Sequence, residues 1–265
     1  MIHWLQAHGW WPFHVHWSEW TGQLLAGLLR TLGYTAAGFT AAALFGLVLA
    51  LMRMSRIRLV RIPAAVYTEL FKNIPLLVIV FVLYFGLPET KSVFGDWVVL
   101  GTFNAGALAL AIFYAAYLSE TFRAALAGVH DGQREAAQAL GLSRWSIFAH
   151  VVFPQALRLA LPGTNTMLVD MLKSTSLLIT ITAGELMSVG QSVSSQTFEV
   201  MEVYLVLAAI YFAMCYPLSQ ALLWLERRVR AGAALSLRRH RRLRTARRLL
   251  ATVQPAATAQ PGGTA

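Results

Sequence analysis

Charge is scarce in this chain. Only 13% of its 265 residues are charged and 57% are hydrophobic, whereas about 25% of the residues in a typical soluble domain are charged. The single cysteine, Cys215, cannot form an intrachain disulfide. The sequence also lacks the Walker A, HExxH and GxSxG patterns of nucleotide-binding and hydrolytic enzymes. These absences predict a membrane protein that is not an enzyme and has no cofactor or metal ion of its own.

Long apolar runs predict where the chain crosses the membrane. Residues 31–52, 97–119 and 203–225 each contain more than 20 positions without a charge. At 1.5 Å per residue, each run spans the roughly 30 Å hydrocarbon core. Two further apolar runs, residues 62–88 and 159–184, are interrupted by charged pairs. We therefore expect an all-α membrane protein with five transmembrane helices.

The distribution of arginine predicts the orientation. Residues 1–29 contain no Lys or Arg, whereas four arginines lie within residues 53–61. Because basic loops stay in the cytoplasm, we expect a periplasmic N-terminus and a cytoplasmic C-terminus in the bacterial inner membrane. Residues 1–22 are expected to form an interfacial segment, in which His14 and His16 alone make an incomplete metal site.

The net charge of +10 comes from the C-terminal tail. Ten arginines lie within residues 227–248, and the other 12 basic residues balance the 12 acidic ones (22 − 10 = 12). Such a tail beside a membrane favours contact with anionic lipid, not nucleic acid. We expect a transmembrane domain over residues 23–230 and a tail over 231–265 that is first basic and then, from Ala251, disordered.

A polar insert, EAAQALGLSRWSIFAHVVFP at residues 135–154, separates two apolar runs. Glu135, Ala136 and Ala137 favour a helix, and Gly141 can adopt the left-handed conformation that ends it. Ser143 can cap a second short helix, and Pro154 is expected to end that helix. A compact helix-turn-helix of this kind predicts a docking element on one side of the membrane.

This insert resembles the EAA loop of ABC importer permeases. In this chain, Val151 and Phe153 stand where the family usually has Ile and Leu. Blocks in the same order extend the resemblance over about residues 22–230 and are similar to the polar amino acid branch, above all to glutamate/aspartate permeases. They are ELFKNIPLL at 69–77, AYLSETFRAAL at 116–126, PQALRLALP at 154–162, KSTSL at 173–177 and GEL at 184–186.

The resemblance implies the type I ABC importer (MetI-like) permease fold with a cytoplasmic EAA coupling helix. It also implies a second permease chain, identical or paralogous, and a periplasmic amino acid binding protein. A cytoplasmic ATPase dimer would bind ATP and Mg²⁺ and would dock on the EAA loop. An ATP-independent carrier or channel, and a membrane-embedded enzyme, are the alternatives.

Two roles remain open for several coupling residues. Glu135 can contact the ATPase or stabilise the N-terminus of its own helix. The small side chains of Ala136 and Ala137 permit a close approach to a partner. Trp145 and Phe148 are spaced i and i+3, so both can anchor the ATPase or pack back on the bundle.

Charges inside a span indicate the substrate pathway, because they are costly unless they face a partner or a wet cavity. The predicted pathway residues are Asp170, Lys173, Ser174, Thr175, Ser176, Asn73 and Pro75, the last as a helix kink. Asp170 and Lys173 can instead neutralise each other. Related chains often carry an acid or amide where this chain has Thr166-Met167, so we expect acidic or amide amino acids as cargo.

Overall fold

The computed structural model describes the backbone of residues 17–253 and the side chains of residues 17–229. The described backbone is helical and contains no strand. Residues 1–16 lie outside the described residues, and with them most of the expected interfacial segment, including His14 and His16. Residues 254–265 also lie outside. The chain divides into two compact units, residues 1–221 and 222–265. Within the second unit, the guanidinium of Arg228 lies 4.2 Å from the ring centroid of Trp224.

The described helices follow one another closely along the chain. They are α1 (Trp17–Arg53), α2 (Arg58–Asn73), α3 (Leu76–Phe81), α4 (Leu87–Glu89), α5 (Lys91–Phe94), α6 (Thr102–Ala127), α7 (Asp131–Ala139), α8 (Arg144–Ile147), α9 (Phe153–Ser174), α10 (Leu186–Thr197) and α11 (Val200–Val253). Single π-helical turns, Val82–Gly86 and Phe148–Val152, and 3₁₀ turns, Asp96–Val98 and Thr175–Ile181, connect some of them.

Three continuous helices are long and apolar enough to cross a membrane: α1, α6 and the Val200–Val229 part of α11. The other two predicted spans are the interrupted ones, and each forms a bent pair of helices. Residues 62–88 bend by 105° between α2 and the following helices, and the chain bends by 50° between Ile181 and α10. Five spans result when each bent pair counts as one.

The first bend lies at Pro75, as its sequence position predicted. Ile74 is extended, with φ −100° and ψ 132°, because a following proline disfavours the helical conformation. The side-chain amide of Asn73 donates to the carbonyl of Glu69 at 2.6 Å. The carbonyl of Pro75 accepts from the backbone N–H of Val78 at 3.0 Å, so a new helix begins there. The carbonyl of Lys72, next to the break, accepts from the hydroxyl of Tyr117 at 3.2 Å.

The second bend is built around a buried carboxylate. Glu185 is fully buried and caps α10, accepting from the backbone N–H groups of Met187 and Ser188 at 2.8 Å each. The hydroxyl of Tyr211 donates to the same carboxylate at 3.2 Å. Arg30 on α1 donates to the carbonyl of Gly184 at 3.2 Å. The hydrogen bonds of Arg30 and Tyr211 therefore attach the turn before α10 to α1 and α11.

Helices α1 and α6 form the centre of the first unit through small residues. The buried stripe on α1 recurs every three or four positions and includes Thr31, Thr35, Gly38, Ala42 and Gly46. At Gly46, a β-carbon would lie 3.0 Å from Cβ of Leu118 and 3.1 Å from the carbonyl oxygen of Ala115. Such stripes let two helix backbones approach closely, which is how helices associate in lipid.

We predict that Gly46→Ala destabilises the protein by about 1–3 kcal/mol, the usual cost of overpacking, because the obstructing atoms belong to the backbone and β-carbon of α6. Gly22→Ala, on the same helix with no neighbour within 4 Å, is the matched control and should be neutral or slightly stabilising. Thermal unfolding of the purified protein measures both. Equal melting temperatures for the two variants would contradict the close contact.

Candidate functional site

The polar insert forms a loop on the side of the protein where α6 ends; we name residues 131–152 the docking loop. Its first helix, α7, ends in a left-handed glycine, with φ +77° at Gly141. The N–H of Gly141 bonds to the carbonyl of Gln138 at 2.9 Å, and the N–H of Leu142 to that of Ala137 at 3.2 Å. This pair of bonds is the Schellman motif, so the predicted turn at Gly141 is present.

The second helix of the docking loop begins as predicted but does not end at Pro154. The hydroxyl of Ser143 accepts from the N–H of Ser146 at 3.2 Å and caps α8. A π-helical turn follows, closed by the N–H of Phe153 on the carbonyl of Phe148, and the chain continues into α9. Pro154 lies in the first turn of α9, where a missing N–H costs little. The prediction that Pro154 ends the helix is therefore wrong.

A small hydrophobic cluster holds the docking loop on the bundle. The cluster contains Ala137, Ile147 and Val152 of the loop. They pack with Leu126 near the end of α6, with Val129 just after it, and with Ala156 near the start of α9. The guanidinium of Arg134 donates to the carbonyl of Leu126 at 2.8 Å, and so satisfies the C-terminal end of α6. The loop is thus fixed by packing and by a charged hydrogen bond.

The opposite face of the docking loop is exposed and partly apolar. Trp145 is 74% exposed and Leu140 is 80% exposed. Glu135 and Ala136 are also exposed, whereas Ala137 faces inward. Glu135 makes no side-chain hydrogen bond or ion pair with the described residues. Trp145 is therefore exposed, whereas Phe148 is partly buried against the hydrophobic cluster, and the two ring centroids lie 5.8 Å apart.

A charged triad joins the helix ends next to the docking loop. The carboxylate of Glu120 on α6 accepts from Arg53, at the end of α1, and from Arg123, one turn further along α6. The i, i+3 spacing of Glu120 and Arg123 is a local signal for their ion pair, but it does not indicate Arg53. Only the position of Arg53 at the end of an apolar run, close to a carboxylate at a span end, could have indicated the contact between helices.

The predicted pathway charges meet on the side of α9. Nζ of Lys173 lies 3.6 Å from Oδ1 of Asp170, and both side chains are more than half exposed. The hydroxyl of Tyr114 on α6 donates to Oδ2 of Asp170 at 2.8 Å and also lies 2.8 Å from the hydroxyl of Ser174. Asp170 is therefore held from two sides, while the ammonium of Lys173 has an open side.

An open cavity of about 300 Å³ lies beside Lys173. Its other walls are Ser176, Met187, Leu207, Ala208 and two tyrosines of α11, Tyr204 and Tyr211. The hydroxyl of Ser176 donates to the carbonyl of Lys173 at 2.7 Å. Thr175 is fully buried and donates to the carbonyl of Leu172 at 2.7 Å. Of the predicted hydroxyl cluster, Ser176 lines the cavity, Ser174 bonds to Tyr114, and Thr175 is structural.

The end of α2 carries a second polar pair near the same face of α6. Nζ of Lys72 lies 3.2 Å from Oε1 of Glu69. The hydroxyl of Tyr117 donates to the carbonyl of Lys72 at 3.2 Å. Tyr114 and Tyr117 are one turn apart, so α6 connects the break at Asn73 and Pro75 with the Asp170–Lys173 pair. Neither tyrosine is among the predicted pathway residues, although their i and i+3 spacing in an apolar helix is a signal in the sequence.

The family of binding-protein-dependent transport system inner membrane components matches residues 42–231. The chain belongs to this family. It is 34% identical over 209 residues to the probable amino-acid ABC transporter permease PatM of Vibrio harveyi, covering 77% of this chain and 92% of that protein. The probable glutamine permease GlnM of Bacillus subtilis is 32% identical, with 77% and 91% covered. The arginine permease ArtQ of Haemophilus influenzae is 32% identical, with 74% and 89% covered.

Solved structures show the same fold for this family member. A crystal structure of an amino acid ABC transporter with histidines matches with a TM-score of 0.72 and 35% identity, covering 80% of this chain and 96% of that one. An inward-facing form of the MetNI methionine transporter matches with a TM-score of 0.64 at 19% identity, covering 81% and 99%. The expected type I importer permease fold is therefore confirmed.

Proposed function

We propose that this chain is the transmembrane permease subunit of an ABC importer for polar amino acids. Its docking loop would receive a separate ATPase, and its α9–α11 cavity would form part of the substrate pathway. The observation that carries the proposal is the two-sided docking loop, with one face packed on the bundle and the other offering Leu140, Trp145 and Glu135 to a partner. The relatives are ABC transporter permeases and support the same role.

Coupling would follow from how rigidly the loop is attached. The hydrophobic cluster and the Arg134 bond tie α7 and α8 to the ends of α6 and α9. A movement of the ATPase would therefore move these two helices, and α9 carries Asp170 and Lys173. A second permease chain would close the pathway from the other side, and a binding protein would deliver the amino acid.

Alanine variants of Trp145 and Phe148 should distinguish an effect on ATPase association from an effect on stability. We predict that Trp145→Ala weakens ATPase association by about tenfold or more, as expected for an interface anchor, and leaves stability unchanged. Phe148→Ala should lower stability by up to about 3 kcal/mol, because Phe148 is partly buried in the cluster. Co-purification with the ATPase and thermal unfolding measure the two effects. Normal ATPase binding by Trp145→Ala would exclude the exposed face as the dock.

The cargo is proposed to be an acidic or amide amino acid held through a carboxylate by Lys173. The ammonium is more than half exposed beside a cavity that can hold a small molecule. Neither an acid nor an amide occupies the Thr166-Met167 position; Thr166 bonds to the carbonyl of Pro162, and Met167 packs on the core. A cationic side chain would lack a partner there, as expected from the sequence.

A single and a double variant test this cargo site. We predict that Lys173→Met abolishes uptake of glutamate and glutamine by the reconstituted transporter, while assembly and basal ATP hydrolysis persist. Asp170→Leu combined with Lys173→Met should not restore uptake, although removing both charges should not destabilise the fold. Lys91→Met, which removes a lysine paired with Asp96 in the α5 loop, is the control. Restored uptake in the double variant would make the two charges a structural ion pair.

The orientation that puts the docking loop in the cytoplasm can be tested with two exposed serines. In a Cys215→Ser background, we predict that Ser92→Cys reacts with a membrane-impermeant thiol reagent added outside, whereas Ser143→Cys does not. Ser92 lies on α5, and Ser143 lies in the docking loop, on the side with the arginines. Labelling of intact cells and of inverted vesicles should give opposite patterns. The reverse result would place the dock where no ATP is available.

A further inference from the structure

The structure buries one carboxylate that the proposed mechanism does not use. Glu185, in the turn before α10, is fully buried and is not among the residues that line the cavity beside Lys173. Burying a carboxylate is costly unless its oxygens are hydrogen-bonded. The hydrogen-bond partners of Glu185 therefore indicate what this residue does.

Both carboxylate oxygens of Glu185 accept hydrogen bonds. Oε1 accepts from the backbone N–H and from the hydroxyl of Ser188, at 2.8 and 2.9 Å. Oε2 accepts from the backbone N–H of Met187 at 2.8 Å and from the hydroxyl of Tyr211 at 3.2 Å. The two N–H groups belong to the first turn of α10, whereas Tyr211 lies 26 positions away on α11. One oxygen of this carboxylate thus connects two helices.

Capping of α10 does not by itself require a glutamate. The preferred residues at a helix N-cap are Ser, Thr, Asp and Asn, whose short side chains reach the N–H groups of the first turn. The longer side chain of Glu185 reaches these N–H groups and also the hydroxyl of Tyr211. The bond to α11 is therefore the contact that a shorter capping residue would lose.

The two residues bonded to Oε2 of Glu185 also line the cavity beside Lys173. Met187 contributes a wall from α10, and Tyr211 contributes a wall from α11. The hydroxyl of Tyr211 gives its only proton to the carboxylate, so a displacement of the tyrosine breaks this bond. Buried supporting contacts of this kind keep a binding site in one geometry, and they reduce the cost of ordering it when a ligand binds.

We propose that Glu185 is a positioning residue for the cargo: it holds Tyr211 and Met187 in place and so sets the shape of the cavity beside Lys173. This inference rests on the proposed role of that cavity as the cargo site. The carboxylate does not touch the cargo, because it is fully buried and is not part of the cavity wall. A change at Glu185 therefore weakens cargo binding through the release of Tyr211.

Two variants test the positioning role separately from capping. Glu185→Asp keeps a preferred N-cap residue but shortens the side chain by one methylene, and Tyr211→Phe keeps the ring and removes only the hydroxyl. We expect each variant to lower the affinity for radiolabelled glutamine or glutamate about fivefold, the contribution of about one hydrogen bond. Because both variants break the same bond, the double variant should lose no more than either single one. Equilibrium binding to the assembled, full-length transporter in detergent, without a binding protein, measures these affinities.

Ser188→Ala is the matched control. It removes a hydrogen bond from Oε1 of the same carboxylate and leaves the partners of Oε2 in place, so its affinity should equal that of the wild type. Wild-type affinity in both Glu185→Asp and Tyr211→Phe would overturn the inference, and so would additive losses in the double variant. If Glu185→Asp does not assemble, the comparison of Tyr211→Phe with Ser188→Ala decides.

Lys173→Met distinguishes this inference from the proposed cargo site. Coupled losses at Glu185 and Tyr211, with normal binding by Lys173→Met, would keep the positioning role and reject Lys173 as the partner of the cargo carboxylate. Loss of binding in Lys173→Met alone would keep the cargo site and reject the positioning role. A wild-type transporter that binds neither amino acid would overturn both.

Discussion

The close contact between α1 and α6 is the constraint on which the rest of the structure depends. In lipid, apolar side chains gain little by leaving their surroundings, so helices associate where their backbones can approach closely. The buried stripe of glycine, alanine and threonine on α1 provides that approach along most of α6. Several polar contacts begin on these two helices: Arg53 with Glu120, Tyr114 with Asp170, Tyr117 with the carbonyl of Lys72, and Arg30 with the second bend.

The two broken spans show how polar backbone is tolerated beside this core. A break in a membrane helix frees N–H and C=O groups that lipid cannot satisfy. At Pro75 the freed carbonyl of Lys72 accepts a hydrogen bond from the hydroxyl of Tyr117 on α6. Before α10, the buried Glu185 binds two N–H groups, and Tyr211 and Ser188 complete its contacts. Hydrogen bonds therefore hold the backbone at both breaks. The cavity beside Lys173 lies between the second break and α11.

The docking loop and the pathway charges lie on the same mechanical element. The chain from Arg144 to Ile181 runs without a break through α8, the π-helical turn, α9 and the 3₁₀ turn Thr175–Ile181. Its first residues carry the exposed Trp145, and its last α-helical turn carries Lys173. A push on the docking loop therefore reaches the cavity without crossing a flexible joint, as the proposed coupling requires.

The sequence by itself determined the features that depend on local chemistry. Uncharged runs located the spans, Gly141 and Ser143 located the turn and cap of the docking loop, and Pro75 located a helix break, because each follows from hydropathy or from backbone sterics within a few residues. The block order indicated the family, and the family match and the solved structures confirmed it.

Only the tertiary structure decided the contacts between distant residues. Trp145 and Phe148 share a helical spacing, but the cluster beneath the loop partly buries Phe148 and leaves Trp145 exposed. Tyr114 reaches Asp170 across 56 positions, and Arg53 reaches Glu120 across 67. Pro154 does not stop its helix, because a π-helical turn places it in a first turn where no N–H is needed. These outcomes depend on which helices pack together, and no local pattern in the sequence specifies that.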